Sequence, residues 1–200
     1  MASASQRGGT PVRGGVGGAW WKFAYWPLLW LAAIVAPHAL LGGSCRLEGV
    51  GLEASRLLGL ILIAWATALT SVAGRTLRLY GHSEGGGFWP DRLVKVGVYS
   101  CMRHPQHLGL ALAAVGLGLL LASPVAIASS GWAVAGTLLF VLLVEEPECY
   151  LRFGREYLEY SMSVKAFSLD PRCLLRGLRA LKGTTRARSP PRSPRAQPSS

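Results

Sequence analysis

Apolar positions in this chain come in long unbroken runs, not in alternation. Phe23–Leu41 and Leu57–Ala73 contain no Asp, Glu, Lys or Arg. Between Arg103 and Glu145 the only ionisable side chains are His104 and His107. A membrane-crossing helix needs about 20 mostly apolar residues. The last run therefore suits two spans joined by a tight turn at Ser123-Pro124. The pattern predicts an all-α, integral membrane helical bundle with spans at about 20–41, 56–75, 106–122 and 124–146. Four such runs in 200 residues disfavour a buried soluble core.

Local signals refine this outline. Trp20, Trp21, Tyr25 and Trp26 cluster where the first span begins, as aromatic rings do at the headgroup level. Pro27 and Pro37 lie inside that span and are expected to kink it. Gly109, Ala113 and Gly116 share one face, and Gly131 with Ala135 forms a second small pair; such faces let helices pack closely in lipid. Pro147 lacks an N–H and is expected to break the helix where the chain leaves the bilayer. Beyond it, Tyr150, Phe153, Tyr157, Tyr160, Val164 and Phe167 recur at helical spacing. They predict one amphipathic helix over about 148–166, packed on the bundle or walling a site. The glycine-rich stretch 81–87 cannot be a helix interior and suits close backbone approach to a polar ligand. Residues 1–19 and 169–200 are expected to be largely disordered tails around a domain at 20–168.

The net charge of +11 raises the question of nucleic acid. Its distribution answers it. With four spans, Arg46 and Arg56 alone of the 21 Lys and Arg residues fall on one side of the membrane. That asymmetry marks the other side, with both termini, as cytosolic. The surplus orients the chain and attracts anionic lipid, and no nucleic-acid partner is expected. The four cysteines, Cys45, Cys101, Cys149 and Cys173, lack the C-x-x-C spacing of zinc sites, so no metal is expected.

Charges at membrane depth are costly and mark functional sites. At about 1.5 Å per residue, the hairpin climbs roughly 28 Å from His104 and descends roughly 31 Å to Glu145. Arg103, His104, Glu145 and Glu146 thus converge at one cytosolic edge. A salt bridge at helix ends is the plainer alternative.

The residues also carry a resemblance. Gly97-Val98-Tyr99 followed by Arg103-His104-Pro105-Gln106-His107-Leu108-Gly109 resembles the G-x-Y…R-H-P-x-Y-x-G segment of the isoprenylcysteine carboxyl methyltransferase and phospholipid methyltransferase superfamily. Glu145-Glu146, then Phe153-Gly154-Arg155-Glu156-Tyr157 and Tyr160, resembles its second motif. Together they cover about residues 75–168. The resemblance implies a multi-pass membrane methyltransferase that uses S-adenosylmethionine without a Rossmann fold. It implies a cofactor site at Tyr99, Arg103, His104, Glu145 and Glu146, with Glu145 and Glu146 as the catalytic pair. His107, Tyr157 and Tyr160 are the expected acceptor-side residues. A lipidic acceptor would arrive from the bilayer between spans, most readily the carboxylate of an isoprenylated cysteine. A phospholipid amine and a non-catalytic scaffold are the alternatives. His107 stands where the family has Tyr, Cys149 where it has Leu, and Lys165-Ala166 where its carboxyl methyltransferases often have Pro-Arg.

Overall fold

The computed structural model describes residues 20–41, 47–83 and 90–187. The expected tail at 1–19, residues 188–200 and most of the glycine-rich stretch lie outside the described residues. The described chain is helical and has no strand. Helix α1 (Trp20–Trp30) passes through a π-turn (Leu31–Val35) into α2 (Ala36–Leu41). Then come α3 (Gly49–Tyr80), a 3-10 turn (Gly97–Ser100), α4 (Pro105–Leu120) and α5 (Pro124–Phe140). A second π-turn (Val141–Glu145) leads into α6 (Glu146–Phe153), followed by α7 (Arg155–Ser163) and α8 (Pro171–Ala187). The helix α4 lies between α3 and α5, while α1 and α2 lean on α5.

Among the described residues, three helical runs are long and apolar enough to cross a bilayer: Trp21–Leu41, Gly49–Tyr80 and Pro124–Phe153. The expected span at 106–122 falls on a shorter apolar helix of 16 residues, Pro105–Leu120. At about 1.5 Å per residue it covers roughly 24 Å, less than a hydrocarbon core of about 30 Å.

Close helix approach holds α3, α4 and α5 together. A Cβ on Gly59 would lie 2.7 Å from the carbonyl oxygen of Gly116, and one on Gly116 would lie 2.9 Å from that of Gly59. Backbone meets backbone there, so only glycine fits. Gly109 faces Thr70, and Gly118 faces Ala126 and Ser130. The pair Gly131 and Ala135 does not act this way, since nothing approaches Gly131 within 4 Å. Gly136, one position beyond Ala135, takes Leu29 and accepts the α1 contact, where the Tyr25 hydroxyl donates to its carbonyl at 2.9 Å.

Neither Pro37 nor Pro147 breaks its helix. Pro37 and Pro147 each sit two residues after a π-turn, at the matching place in two different spans. The N–H groups of Ala36 and Glu146 bond five residues back, to Leu31 and Val141. That widened turn accommodates the pyrrolidine ring, which otherwise clashes with the carbonyl four residues earlier. The helix therefore runs on through Glu146 to Phe153. It ends at Gly154, whose φ of 55° and ψ of −129° suit glycine alone. The expected single helix over 148–166 is thus two helices, α6 and α7.

The segment expected as a tail from residue 169 also differs. Helix α8 packs Cys173 and Gly177 into the molecule, with Leu174 and Leu181 at their flanks. Cys173, Gly177 and Ala180 recur at i, i+4 and i+7, a narrow small-residue face hidden among basic residues. It docks on Val72 and Val98, next to Leu69, Ala73 and Met102.

Candidate active site

Arg103 and His104 precede the first turn of α4, where Pro105 occupies the position that needs no N–H. The chain from 164 to 167 is laid across them. The Arg103 N–H donates to the Lys165 carbonyl at 3.0 Å, and the His104 N–H to that of Ala166 at 3.1 Å. The hairpin of α4 and α5 returns the carboxylates to the same level.

There the two glutamates part. Glu146 Oε1 accepts from Arg103 Nε at 3.0 Å, from Arg103 Nη2 at 2.7 Å, and pairs with His104 Nε2 at 2.7 Å. A carboxylate only accepts, so His104 carries its proton on Nε2. Arg103 Nη1 donates to the carbonyls of Ser161, at 2.9 Å, and Val164, at 2.5 Å. The guanidinium thereby ties α6 to the end of α7. Burial alone would lower the Arg103 pKa, but the bonds and charge of Glu146 raise it, so it stays cationic. Glu145 is turned toward Lys22 of α1, at 3.4 Å, and Lys22 also pairs with Glu148. Arg152 bonds Glu148 at 3.2 Å, closing a chain of alternating charge.

A cavity of about 320 Å³ opens beside these groups. Tyr99, Arg103, His104, His107, Glu145, Tyr157 and Tyr160 all line it, and Glu146 stands behind as the partner of Arg103 and His104. The 3-10 turn delivers Tyr99. Its carbonyl accepts from the Tyr160 hydroxyl at 2.5 Å, which fixes α7 against the turn. Burial pushes the phenols of Tyr99, Tyr157 and Tyr160 well above their usual range, so all three stay neutral. His107 stacks on Phe140, with ring centroids 5.7 Å apart, and faces Trp26 at 5.4 Å. The lining therefore combines aromatic rings, Trp26, His107 and Phe140, with the charges of Glu145, Glu148, Arg92 and Arg152.

Sequence reasoning missed Lys22, Trp26, Arg92, Phe140, Glu148 and Arg152 as lining groups. Lys22 was legible only as one basic residue among many. The signal was its place inside an aromatic cluster at the head of an apolar span, where an ammonium needs a partner. Arg92 comes from the segment that leads into the 3-10 turn, beside Pro90 and Val94. No group of three or more metal-ligating side chains occurs among the described residues.

The fold and the cavity define a helical membrane bundle with a charged pocket at one end. The family model of the phospholipid methyltransferases matches residues 54–156, just over half of the chain, and the chain belongs to that family. That stretch contains Tyr99, Arg103, His104, Glu145 and Glu146 but excludes α1 and α8. Protein-S-isoprenylcysteine O-methyltransferase B of Arabidopsis thaliana is 37% identical over 75 residues, which cover 36% of this chain and 37% of that protein. Protein-S-isoprenylcysteine O-methyltransferase of Dictyostelium discoideum is 36% identical over 112 residues, 50% of this chain and 46% of that protein. The chain thus spans less than half the length of these curated relatives. No solved structure matches it.

Proposed function

We propose that this chain is an integral membrane methyltransferase that moves a methyl group from S-adenosylmethionine to a lipidic acceptor. The carboxylate of an isoprenylated cysteine is the acceptor we favour. The observation that carries this reading is the charged cavity, most of whose lining, with Tyr99, Arg103, His104 and Glu145, comes from the family-matched stretch and includes aromatic rings. The two relatives are named for that reaction.

The lining fits the methyl donor. A zwitterionic amino-acid group needs a carboxylate and a cation, and the cavity offers Glu145 and Glu148 with Arg92 and Arg152. A nucleoside needs flat apolar faces and a few polar edges, supplied by Tyr99, Phe153 and His104. When bound, the donor supplies an electrophilic methyl on a sulfonium. Tyr99, Arg103, His104 and Glu145 would hold it, and Glu146 would act by fixing Arg103 and His104. Four of the five Arg103 N–H groups are committed to Glu146, Ser161 and Val164, so Arg103 contributes chiefly charge and shape.

Methyl transfer is an in-line displacement, so positioning supplies much of the rate. A carboxylate acceptor is already a nucleophile and needs no base. His107, Tyr157 and Tyr160 border the side where an acceptor would lie. A phospholipid amine must first lose a proton, and Glu145, which lines the cavity beside Glu148, would take it.

Titration of S-adenosylhomocysteine into detergent-purified protein tests the reading. Saturable binding lost in Glu145→Gln supports it, and methylation of a farnesylcysteine analogue over phosphatidylethanolamine supports the acceptor. Absence of binding in folded protein would leave a scaffold that kept the family's bundle.

A further inference from the structure

Helix α8 presents two faces. Cys173, Gly177, Ala180 and Leu181 turn inward. Arg172, Leu175, Arg176, Leu178, Arg179 and Lys182 are exposed. At 3.6 residues per turn, Leu178, Lys182 and Leu175 occupy one flank of the outer face, and Arg179, Arg172 and Arg176 the other. An interfacial helix has that composition, with leucine at the acyl boundary and basic residues at the headgroups.

The position of α8 agrees. At about 1.5 Å per residue, α3 is roughly 48 Å long, well beyond a hydrocarbon core of about 30 Å. Its uncharged run ends at Gly74, and exposed Arg75 and Arg78 follow. The inner face of α8 meets α3 at that exit: Gly177 lies on Val72, and the Ala180 carbonyl accepts from the Tyr80 hydroxyl at 3.5 Å. Packing thereby holds the four cations beside the part of α3 where its uncharged run ends. From Ser168 to Lys182 the one acid is Asp170, and its Oδ1 accepts from the Arg172 N–H at 2.9 Å, at the start of the helix.

We propose that the outer face of α8 is a binding surface for anionic lipid headgroups, formed by Arg172, Arg176, Arg179 and Lys182 with Leu175 and Leu178 dipped toward the acyl chains. Charge complementarity selects the ligand, and the docked inner face sets the depth. The surface lies directly behind the 3-10 turn, because a Cβ on Gly97 would sit 3.3 Å from Ala180. It is independent of any methyl transfer.

The test uses the full chain in phosphatidylcholine nanodiscs doped with a photocrosslinking phosphatidylserine, with crosslinked peptides mapped by mass spectrometry. Crosslinks should concentrate on residues 171–182 and exceed those from an equally doped photocrosslinking phosphatidylcholine. Each Arg or Lys changed to Gln should lower the preference about fivefold. The four changes together (R172Q, R176Q, R179Q, K182Q) should abolish it, while the same Arg positions changed to Lys should retain it. In case the quadruple variant does not fold, wild-type protein at low and high salt gives the same decision, since screening must weaken the preference. Equal yields from the two lipids, crosslinks spread evenly over the chain, or a preference insensitive to salt would each overturn the proposal.

Discussion

Glu145 and Glu146 are neighbours of identical chemistry, and the structure gives them opposite sensitivities. Consider Glu146→Gln. The wild-type side chain is 21% exposed, and its partners Arg103 and His104 are 14% and 5% exposed. Removing one member of a buried ion pair costs about 3–5 kcal/mol. Residual exposure admits water, and Gln keeps an oxygen that can accept from one or two of the three donors. A loss of about 2 kcal/mol follows, a change of roughly thirtyfold in the folded-to-unfolded ratio. Glu145→Gln differs. Glu145 takes a 3.4 Å contact from Lys22, which keeps Glu148 as a second partner. Its loss should cost under about 1 kcal/mol, because the contact is long and Lys22 stays neutralised by Glu148. Unfolding in mixed micelles at rising dodecyl sulfate, followed by tryptophan fluorescence, reads stability. Calorimetric titration of S-adenosylhomocysteine reads the site. Glu146→Gln should unfold earlier, and Glu145→Gln should unfold like wild type yet bind at least tenfold more weakly, as expected for a lost charged contact of about 1.4 kcal/mol or more. The reasoning fails if Glu146→Gln unfolds at the wild-type midpoint, because the Arg103–Glu146–His104 cluster would then not brace the fold.

Three further outcomes follow from the packing and the buried groups. Gly59→Ala should destabilise by about 1–3 kcal/mol, since its methyl meets a backbone carbonyl that cannot rotate away, whereas Gly131→Ala should be neutral or stabilising by up to about 1 kcal/mol; the same micelle unfolding separates them. Gly154→Ala should cost about 1–3 kcal/mol, because φ of 55° with ψ of −129° is strained for any side chain, and equal stability would refute the α6–α7 corner. Burial pushes the Cys101 thiol up to about 11, with its neighbour Cys173 adding to the shift. A raised thiol pKa means less thiolate at neutral pH, so alkylation of Cys101 at pH 8 should be slow and should rise about tenfold per pH unit until near 11. Peptide mass spectrometry after iodoacetamide checks this, and rapid labelling at pH 7 would contradict it.

The sequence by itself determined the membrane bundle, the hairpin and the meeting of Arg103, His104 and Glu146. Those features follow from runs of apolar residues and from helix rise, which are local quantities that need no knowledge of neighbours. It also located the turn at Ser123-Pro124, where Pro124 opens α5 as its first residue. Tertiary structure decided the rest. Whether Pro37 and Pro147 break a helix depends on whether the preceding turn can widen, and both preceding turns here are π-turns. Whether a small pair packs depends on what faces it, so Gly116 and Gly59 interlock while Gly131 meets nothing. The division of labour between Glu145 and Glu146 arises because adjacent helix positions point about 100° apart, so one turns to α1 and the other to Arg103. Lys22, Arg92 and Arg152 reach the cavity from three separate segments, and no spacing rule links them. The basic stretch after Asp170 read as solvated tail, because four cations outweigh Cys173, Gly177 and Ala180 in any compositional measure. Those small side chains became a docking face only because Val72 and Val98 were already positioned to receive them.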